Sequence, residues 1–470
     1  MRDLPRGGWR PVLAEGDETP IYLAIADAMA ADIAGGRLQA GQRLPAHRAL
    51  AEALAVDLTT VTRAYGEARR RGLIEAIVGR GTFVRMVPVE RRRRRDDLQP
   101  SDVDIDMNLP PQPQEARLGE NLVEGFAALQ GRPDFLHLLT YRQSSSGERD
   151  RAAGAVWLNR VLPMATSDRV LICRGAQSAL LLLLTTYLKP GDAVLTDALT
   201  YSAFRMLAAY LGVRLVGVAG DEEGMLPDAL EQACHAQKAK ALYLVPTIHN
   251  PTTVTMPLAR RQAVAAIARR HGMLLFTDDA YGQLPTAAPE PLAALAPDLT
   301  FHIATLAKCI TPGLRVAYLL VPDAVQLARL TAGLRATAMM ASPLMAALAS
   351  HWIGNGTALA IADAIRREST ARQRLAREIL PKGSFAAHPQ GHHLWLTLPA
   401  TWSRLEFSAH LRRQGLAVVP SDAFAIDSAA APNAVRIALG ATPSRDQLKL
   451  ALMAATDALS QPLAIWSQVV

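Results

Sequence analysis

Lys308 and Arg315 lie in the stretch Phe301 to Val321, where two apolar, β-prone runs flank a turn punctuated by Pro312-Gly313. Burial penalises an ammonium ion. A lysine held between buried strands therefore has a lowered pKa, and its neutral amine can form a Schiff base with an aldehyde. Taken alone, the segment reads equally well as a surface lysine beside a solvated arginine. Other residues of matching chemistry fall at the ends of expected strands. Gly175-Ala176-Gln177 opens an expected helix, where backbone amides and a partial positive charge suit a phosphate. Arg315 offers the same group a permanent, bidentate charge. Asp278 is placed to keep a pyridine nitrogen protonated, Tyr281 and Asn250 to hydrogen-bond a phenolic oxygen, and Tyr201 to stack on the ring. These are the needs of a phosphorylated aldehyde cofactor. Singly, Asn250-Pro251, Asp278-Asp279 and Gly175-Ala-Gln are also ordinary turn residues or caps.

The elements that must position these residues alternate. Strands are expected at Val170–Cys173, Ala193–Thr196, Arg214–Val218, Ala241–Pro246 and Met273–Thr277, with helices at Ala176–Leu188, Tyr201–Leu211, Pro227–Ala236 and Leu258–His271 between them. Repeated β-α units imply a largely parallel sheet in three layers, its functional loops at the carboxyl ends of the strands. From Ala341 onward the pattern is richer in helices, with short strands at His393–Leu398 and Val435–Leu439, and reads as a smaller subdomain.

With 470 residues, the chain exceeds what one hydrophobic core usually serves. Cys173, Cys234 and Cys309 are far apart and odd in number, which suggests neither a disulfide framework nor a zinc site. The longest apolar run, Ala179 to Leu188, is too short to span a bilayer, and the first residues lack a secretory pattern, so the expectation is a cytoplasmic protein without a membrane partner. The formal net charge of +7 is unevenly spread: residues 1–95 hold 17 Lys plus Arg against 11 Asp plus Glu, and the remainder 33 against 32. A basic end on a near-neutral body points to a polyanion, nucleic acid before others.

That end has the plan of a DNA reader. Ile21, Ala24, Ile25, Ala28 and Met29 follow the spacing of an amphipathic helix, Pro45 opens a short second helix to Leu54, and a third carries Val61, Ala64, Tyr65 and Ala68 on its inner face. Its other face shows Thr59, Thr60, Thr62, Arg63, Glu67 and Arg69 to Arg71, suited to the major groove. A hairpin around Gly79-Arg80-Gly81 follows. Residues 87–112, with Arg91 to Arg95 and several prolines, read as an extended connector.

Two resemblances organise these motifs. Pro20-Ile-Tyr22, Gly41-Gln-Arg43-Leu-Pro45, Arg48-Ala-Leu-Ala51, Val61-Thr-Arg63-Ala-Tyr65 and Gly79-Arg-Gly-Thr-Phe-Val84 resemble the winged helix-turn-helix of GntR-type regulators. The resemblance implies double-stranded DNA as partner, with contacts from Arg43, Arg48, Thr60, Arg63 and Arg80. Asp57-Leu-Thr stands where that family more often has Ser-Arg-Asn, which leaves the base preference open.

From about residue 106, Gly175-Ala-Gln177, Tyr201, Asn250-Pro-Thr252, Asp278-Asp-Ala-Tyr281, Thr305-Leu-Ala-Lys308, Pro312-Gly-Leu-Arg315 and Val435-Arg-Ile437 resemble fold-type I pyridoxal-phosphate aminotransferases. Together the halves resemble the MocR subfamily. The resemblance implies pyridoxal 5'-phosphate on Lys308, its phosphate on Gly175, Ala176, Gln177, Thr305 and Arg315, and a carboxylate on Arg436. It also implies a homodimer in which Tyr141 reaches the partner's phosphate. Ala307 replaces a usual hydroxyl residue, and Gly147 falls one place late in the Tyr141 loop.

The expected organisation is a winged helix-turn-helix at 1–86, a connector at 87–112, and large three-layer α/β/α and small α+β subdomains at 113–340 and 341–470. The expected function is a DNA-binding regulator that senses pyridoxal phosphate, with or without an amino compound. The alternative is a working aminotransferase with an accessory DNA-binding head.

Overall fold

A computed structural model of the chain describes residues 9–11, 20–34, 37–39, 41–71, 73–77, 81–84, 107–141, 147–414 and 416–460. The chain divides into two units, residues 1–98 and 99–470.

In the first unit, α1 (Ile21–Ala34), α2 (His47–Leu54) and α3 (Leu58–Arg70) precede the hairpin β1 (Ile74–Ile77) and β2 (Gly81–Val84). Ile25, Met29, Leu50, Val61, Ala64, Tyr65, Ala68, Ile74 and Val84 are buried together, so the periodic apolar positions of the helices are the core. Asp57 caps α3, its carboxylate accepting from the Thr59 backbone N–H at 2.7 Å and hydroxyl at 2.6 Å. That capping accounts for an aspartate at this position. Buried Asp32 is satisfied by Trp9 Nε1 at 2.7 Å and Arg37 Nε at 2.8 Å. The segment before α2 adds a rung to the hairpin, Leu44 N–H donating to Thr82 O and Val84 N–H to Gln42 O.

The second unit opens with α4 (Leu118–Gln130) and α5 (Glu148–Leu158). It then alternates β3 (Val170–Cys173), α6 (Ala176–Tyr187), β4 (Ala193–Asp197), α7 (Ser202–Tyr210) and β5 (Arg214–Val218). A small hairpin, β6 (Gly220–Asp221) and β7 (Gly224–Met225), leads to α8 (Pro227–Ala236), β8 (Ala239–Leu244), α9 (Leu258–Arg270), β9 (Leu274–Asp278), the short α10 (Leu292–Leu295), β10 (Thr300–Thr305) and β11 (Ala317–Leu320). The main sheet has the order β3-β11-β10-β9-β8-β4-β5. β11 pairs antiparallel with both neighbours and the remaining pairs are parallel. Alternate side chains serve opposite faces, Val170 and Ile172 packing into one core and Leu171 and Cys173 into the other.

Beyond the sheet come α11 (Ala324–Ala338), α12 (Pro343–Gly354), α13 (Thr357–Ile379), β12 (Phe385–Ala386), β13 (His393–Thr397), α14 (Arg404–Arg413), β14 (Val419–Pro420), β15 (Ala434–Ala438) and α15 (Arg445–Ser460). The strands form an antiparallel sheet ordered β12-β13-β15-β14. No described helix is long and apolar enough to cross a membrane.

Two boundaries differ from the sequence reading. Ala346 to Ala349 of α12 and Ile361 to Ile365 of α13 bury in the same core as β3, whereas Ala376 of α13 packs with the small sheet. One continuous helix therefore joins the subdomains, and a cut at 341 falls too early. Asn108, Pro110 and Pro111, placed in the connector by their polar and proline-rich setting, are buried. A Cβ on Gly440 would lie 1.9 Å from Leu109 O. Gly440→Ala should therefore force the 109–111 segment off its seat and cost about 1–3 kcal/mol, read as a lowered denaturant midpoint of the second unit with its m-value unchanged.

Candidate functional site

Five strands running in one direction, β3, β4, β8, β9 and β10, and the turn into β11 deliver their terminal residues to one edge of the main sheet. A cleft of about 400 Å³ there is lined by Gly175, Ala176, Gln177, Tyr201, Asn250, Asp278, Tyr281, Thr305, Lys308 and Arg315, with Arg436 from the small sheet. The described structure thus brings together every expected cofactor residue except Tyr141, which is 81% exposed and outside the cleft.

Lys308 follows β10 in a tight turn, its Nζ donating to the backbone carbonyl of Asn108. Burial, helped by the Arg436 cation and opposed by Asp278, holds its ammonium down to about 8. Asp278 ends β9. Burial pushes its carboxyl up to about 6, while a bond from Tyr243 Oη at 3.1 Å to Oδ2 opposes that rise. Its other oxygen, Oδ1, is buried without a partner. Gly175 has φ +84°, a left-handed conformation, and a Cβ there would sit 3.3 Å from the Arg315 guanidinium. Arg315 itself has φ +51°, which is strained for a side-chain-bearing residue. The uncapped start of α6 and this arginine therefore share one spot.

Tyr201 opens α7, its hydroxyl hydrogen-bonded by Gln177 and its pKa raised chiefly by burial. Burial likewise raises that of Tyr281, whose oxygen accepts from Asn108 Nδ2 at 2.6 Å. Arg436 Nη1 donates to Asn250 Oδ1 at 2.9 Å. The Thr305 hydroxyl accepts from Ala307 N–H at 3.2 Å and donates to Val316 O at 3.4 Å, so it shapes the lysine turn. Cys309 is buried and its thiol is pushed up to about 12, the behaviour of a small apolar residue.

Sequence reasoning missed Asn108, Tyr243 and His392. Tyr243 lies in the apolar run of β8, where an aromatic reads as core. His392 Nε2 bonds Lys308 O at 2.7 Å, a contact between residues too far apart in the chain to leave a local pattern.

In the DNA-reading unit, α3 exposes Thr59, Thr62, Arg63, Arg69, Arg70 and Arg71, and Thr60 is half-buried. Arg63 lies over the Tyr22 ring at 4.2 Å, which holds its guanidinium on the helix face. Arg70 and Arg71 pair with Glu67, and Arg71 also with Asp27. Arg43 packs against Gly81, and Arg48 is exposed on α2. Arg80 lies outside the described residues.

Comparison with known proteins agrees with both units. The family of aminotransferases of class I and II matches residues 148–454, and the bacterial regulatory proteins of the gntR family match residues 21–84. The solved structure of LysN, an α-aminoadipate aminotransferase from Thermus thermophilus complexed with N-(5'-phosphopyridoxyl)-L-leucine, shares the fold. Its TM-score is 0.69 at 24% identity, over 77% of this chain and 93% of that one. YdeF, an uncharacterized HTH-type transcriptional regulator of Bacillus subtilis, is 28% identical over 95% of both chains. PtsJ, the vitamin B6 salvage pathway transcriptional repressor of Salmonella typhimurium, is 29% identical over 86% of this chain and 91% of its own.

The chain belongs to the class I and II aminotransferase family. With its gntR head it is a DNA-binding transcriptional regulator of the MocR type. Its cofactor is pyridoxal 5'-phosphate, and the cleft fits that group: a partnerless buried carboxylate oxygen for a protonated ring nitrogen, a depressed lysine, and an arginine beside a free helix start.

Two outcomes follow. Lys308 is protonated below about pH 8 and neutral above it. Capture of added cofactor by the cofactor-free protein should accelerate roughly tenfold per pH unit up to that point and then level, whereas an ordinary lysine would keep the rise going to about 10.4. Stopped-flow absorbance reads the break. Arg63→Ala should lower DNA affinity by about tenfold, the scale of 1–3 kcal/mol for a specific contact, and leave cofactor absorbance unchanged; loss of both would mean misfolding.

Proposed function

We propose that the DNA binding of this regulator responds to pyridoxal phosphate, and to an amino compound presented to the cofactor. The observation that carries this reading is a cleft lined by all the expected cofactor residues but Tyr141, in the same chain as a capped helix with an exposed polar and basic face. A repressor of vitamin B6 salvage among the relatives supports it. The role of the cleft is then to sense, and occupancy is converted into DNA affinity only to the extent that the ligand binds one state of the protein better than another.

Lys308 captures the cofactor, and its depressed pKa keeps a useful fraction of the amine neutral near pH 7. Bound pyridoxal phosphate supplies an aldehyde that condenses with amines and a ring that withdraws electrons from the captured nitrogen. Asp278, whose Oδ1 is buried without a partner while Tyr243 steadies Oδ2, would hold the ring nitrogen's proton. Asn250 and Tyr281 would hydrogen-bond the phenolic oxygen, and Tyr201 would offer its ring to the pyridine. Gly175, Ala176, Gln177, Thr305 and Arg315 form the phosphate end, and Arg436 takes the carboxylate of an amino-acid effector. Exposed Val123, Leu136, Leu139 and Tyr141 lie on neighbouring parts of residues 118–141, a surface suited to a second copy, through which Tyr141 would reach the partner's phosphate.

A second reading, an active aminotransferase, draws support from the convergence of Lys308, Asp278 and Arg436 in one cleft. Fluorescence anisotropy separates the two. The full chain is titrated onto DNA from upstream of its own and neighbouring genes at fixed salt, with and without pyridoxal phosphate. Sequence-selective binding that shifts with cofactor is the expected result. Binding without sequence preference and without a cofactor effect would favour the enzyme, to be followed by screens of amino donors.

A further inference from the structure

Asn108 lines the cleft between Met107 and Leu109, and three groups meet it there. Its Nδ2 donates to Tyr281 Oη at 2.6 Å and lies 3.1 Å from His393 Nδ1. His393 Nε2 lies 3.2 Å from His249 O, and a carbonyl can only accept. The ring proton is therefore on Nε2, and Nδ1 is a lone pair. This fixes the Asn108 amide as drawn, since turning it over would set Oδ1 against that lone pair. With one N–H on His393 and the other on Tyr281, the tyrosine oxygen is an acceptor and its own hydrogen is left to point into the cleft.

The main chain of the same residue does a second thing: its carbonyl accepts from Lys308 Nζ. Next to it, Leu109 is seated against Gly440, and Gln112 Nε2 donates to Ile310 O at 3.1 Å. Residues 108–112 thus grip the lysine turn on one side and the small sheet on the other.

We propose that Asn108 is a positioning residue with two duties: its side chain sets the Tyr281 hydroxyl as a donor to the cofactor, and its backbone carbonyl reports to the connector whether Lys308 is engaged. The proposal rests on the cofactor-responsive reading above. A lysine whose Nζ is committed to the cofactor no longer donates to Asn108 O. Residues 108–112 are then held by one anchor fewer than in the cofactor-free protein, and DNA affinity is the readout of that difference.

The test uses the full chain, with pyridoxal phosphate as the probe. Lys308→Met removes the donor and keeps most of the stem. Its DNA affinity without cofactor should match that of cofactor-loaded wild type, and added cofactor should change it by less than about twofold, against the roughly 5- to 150-fold span of coupled sites. Asn108→Asp keeps the size and removes the amide donors; cofactor affinity should fall about tenfold, and the pH midpoint of the bound-cofactor absorbance should move. A Lys308→Met protein that binds DNA as cofactor-free wild type does would overturn the relay, and unchanged affinity and midpoint in Asn108→Asp would overturn the positioning. Should Asn108→Asp fail to fold by circular dichroism, Lys308→Met decides the relay, and Tyr281→Phe decides the donor: it should reproduce the affinity loss, and wild-type affinity there would refute it. If wild-type DNA affinity ignores the cofactor, the cofactor-responsive reading itself falls and takes the relay with it, while the absorbance result still judges the positioning.

Discussion

An excess of positive charge gathered in one cleft, with Arg436 buried and Arg315 at the exposed mouth, governs its chemistry. Lys308, Arg315 and Arg436 line it with Asp278 as the only carboxylate among its described lining residues. Burial lowers the lysine and raises the aspartate toward each other, so both titrate within a few units of neutrality. The protein meets this conflict by splitting it. Asp278 is steadied by Tyr243 on one oxygen, Arg436 by Asn250, and Lys308 by a backbone carbonyl. What remains is a net demand for an anion and for a group that shares a proton with Asp278 Oδ1. A phosphorylated pyridine meets both demands at once, so the same imbalance that disfavours the empty cleft favours the filled one.

The sheet makes that concentration possible. In a parallel array every strand ends on the same edge, which places the residues following β3, β4, β8, β9 and β10 in one row. The single reversed strand, β11, adds a second source of side chains to the edge. Because it runs antiparallel to β10, the turn between them carries both Lys308 and Arg315, and the arginine stands beside Gly175 at the start of α6. Local strain follows from this crowding. Arg315 and Gly175 both have positive φ, and only the glycine accommodates it without cost.

The parts of this arrangement that were legible in the sequence are those with a local signature. Alternation of apolar runs with 3.6-residue periodicity located the β-α units, and short motifs at their ends named Gly175, Asn250, Asp278 and Lys308. The i, i+3, i+4 pattern in residues 58–70 likewise separated the buried Val61, Ala64, Tyr65 and Ala68 from the exposed face. What escaped was of two kinds. Tyr243 is a core aromatic by every local criterion, stacked on Phe204 at 3.6 Å, and only its hydroxyl gives it a second role. Asn108 sits among prolines and charges, a composition that reads as a solvated connector, yet it is buried because Leu109 and its neighbours find a place against Gly440. Composition reports what a segment would do in water, and a groove supplied by residues three hundred positions later changes the solvent it meets. The subdomain boundary escaped for a related reason: α13 is one unbroken pattern whose two halves serve different cores.

The buried Asn108 also changes how the halves of this protein can influence each other. A fully solvated tether between a sensor and a DNA reader has little means of transmitting a state, because its ends are uncorrelated. Here Asn108, at the end of the connector, is hydrogen-bonded to Lys308 and Tyr281 of the cleft, so on the reading proposed above a ligand that altered those bonds would alter its seat. The coupling cannot exceed the ligand's differential affinity for the two clamped arrangements, and typical coupled sites differ by about 1–3 kcal/mol. The gain or loss of one hydrogen bond to a charged donor, worth about 1.5–3 kcal/mol, is of that size. A single bond at Asn108 is therefore of sufficient magnitude to carry the proposed coupling without a rearrangement of the sheet.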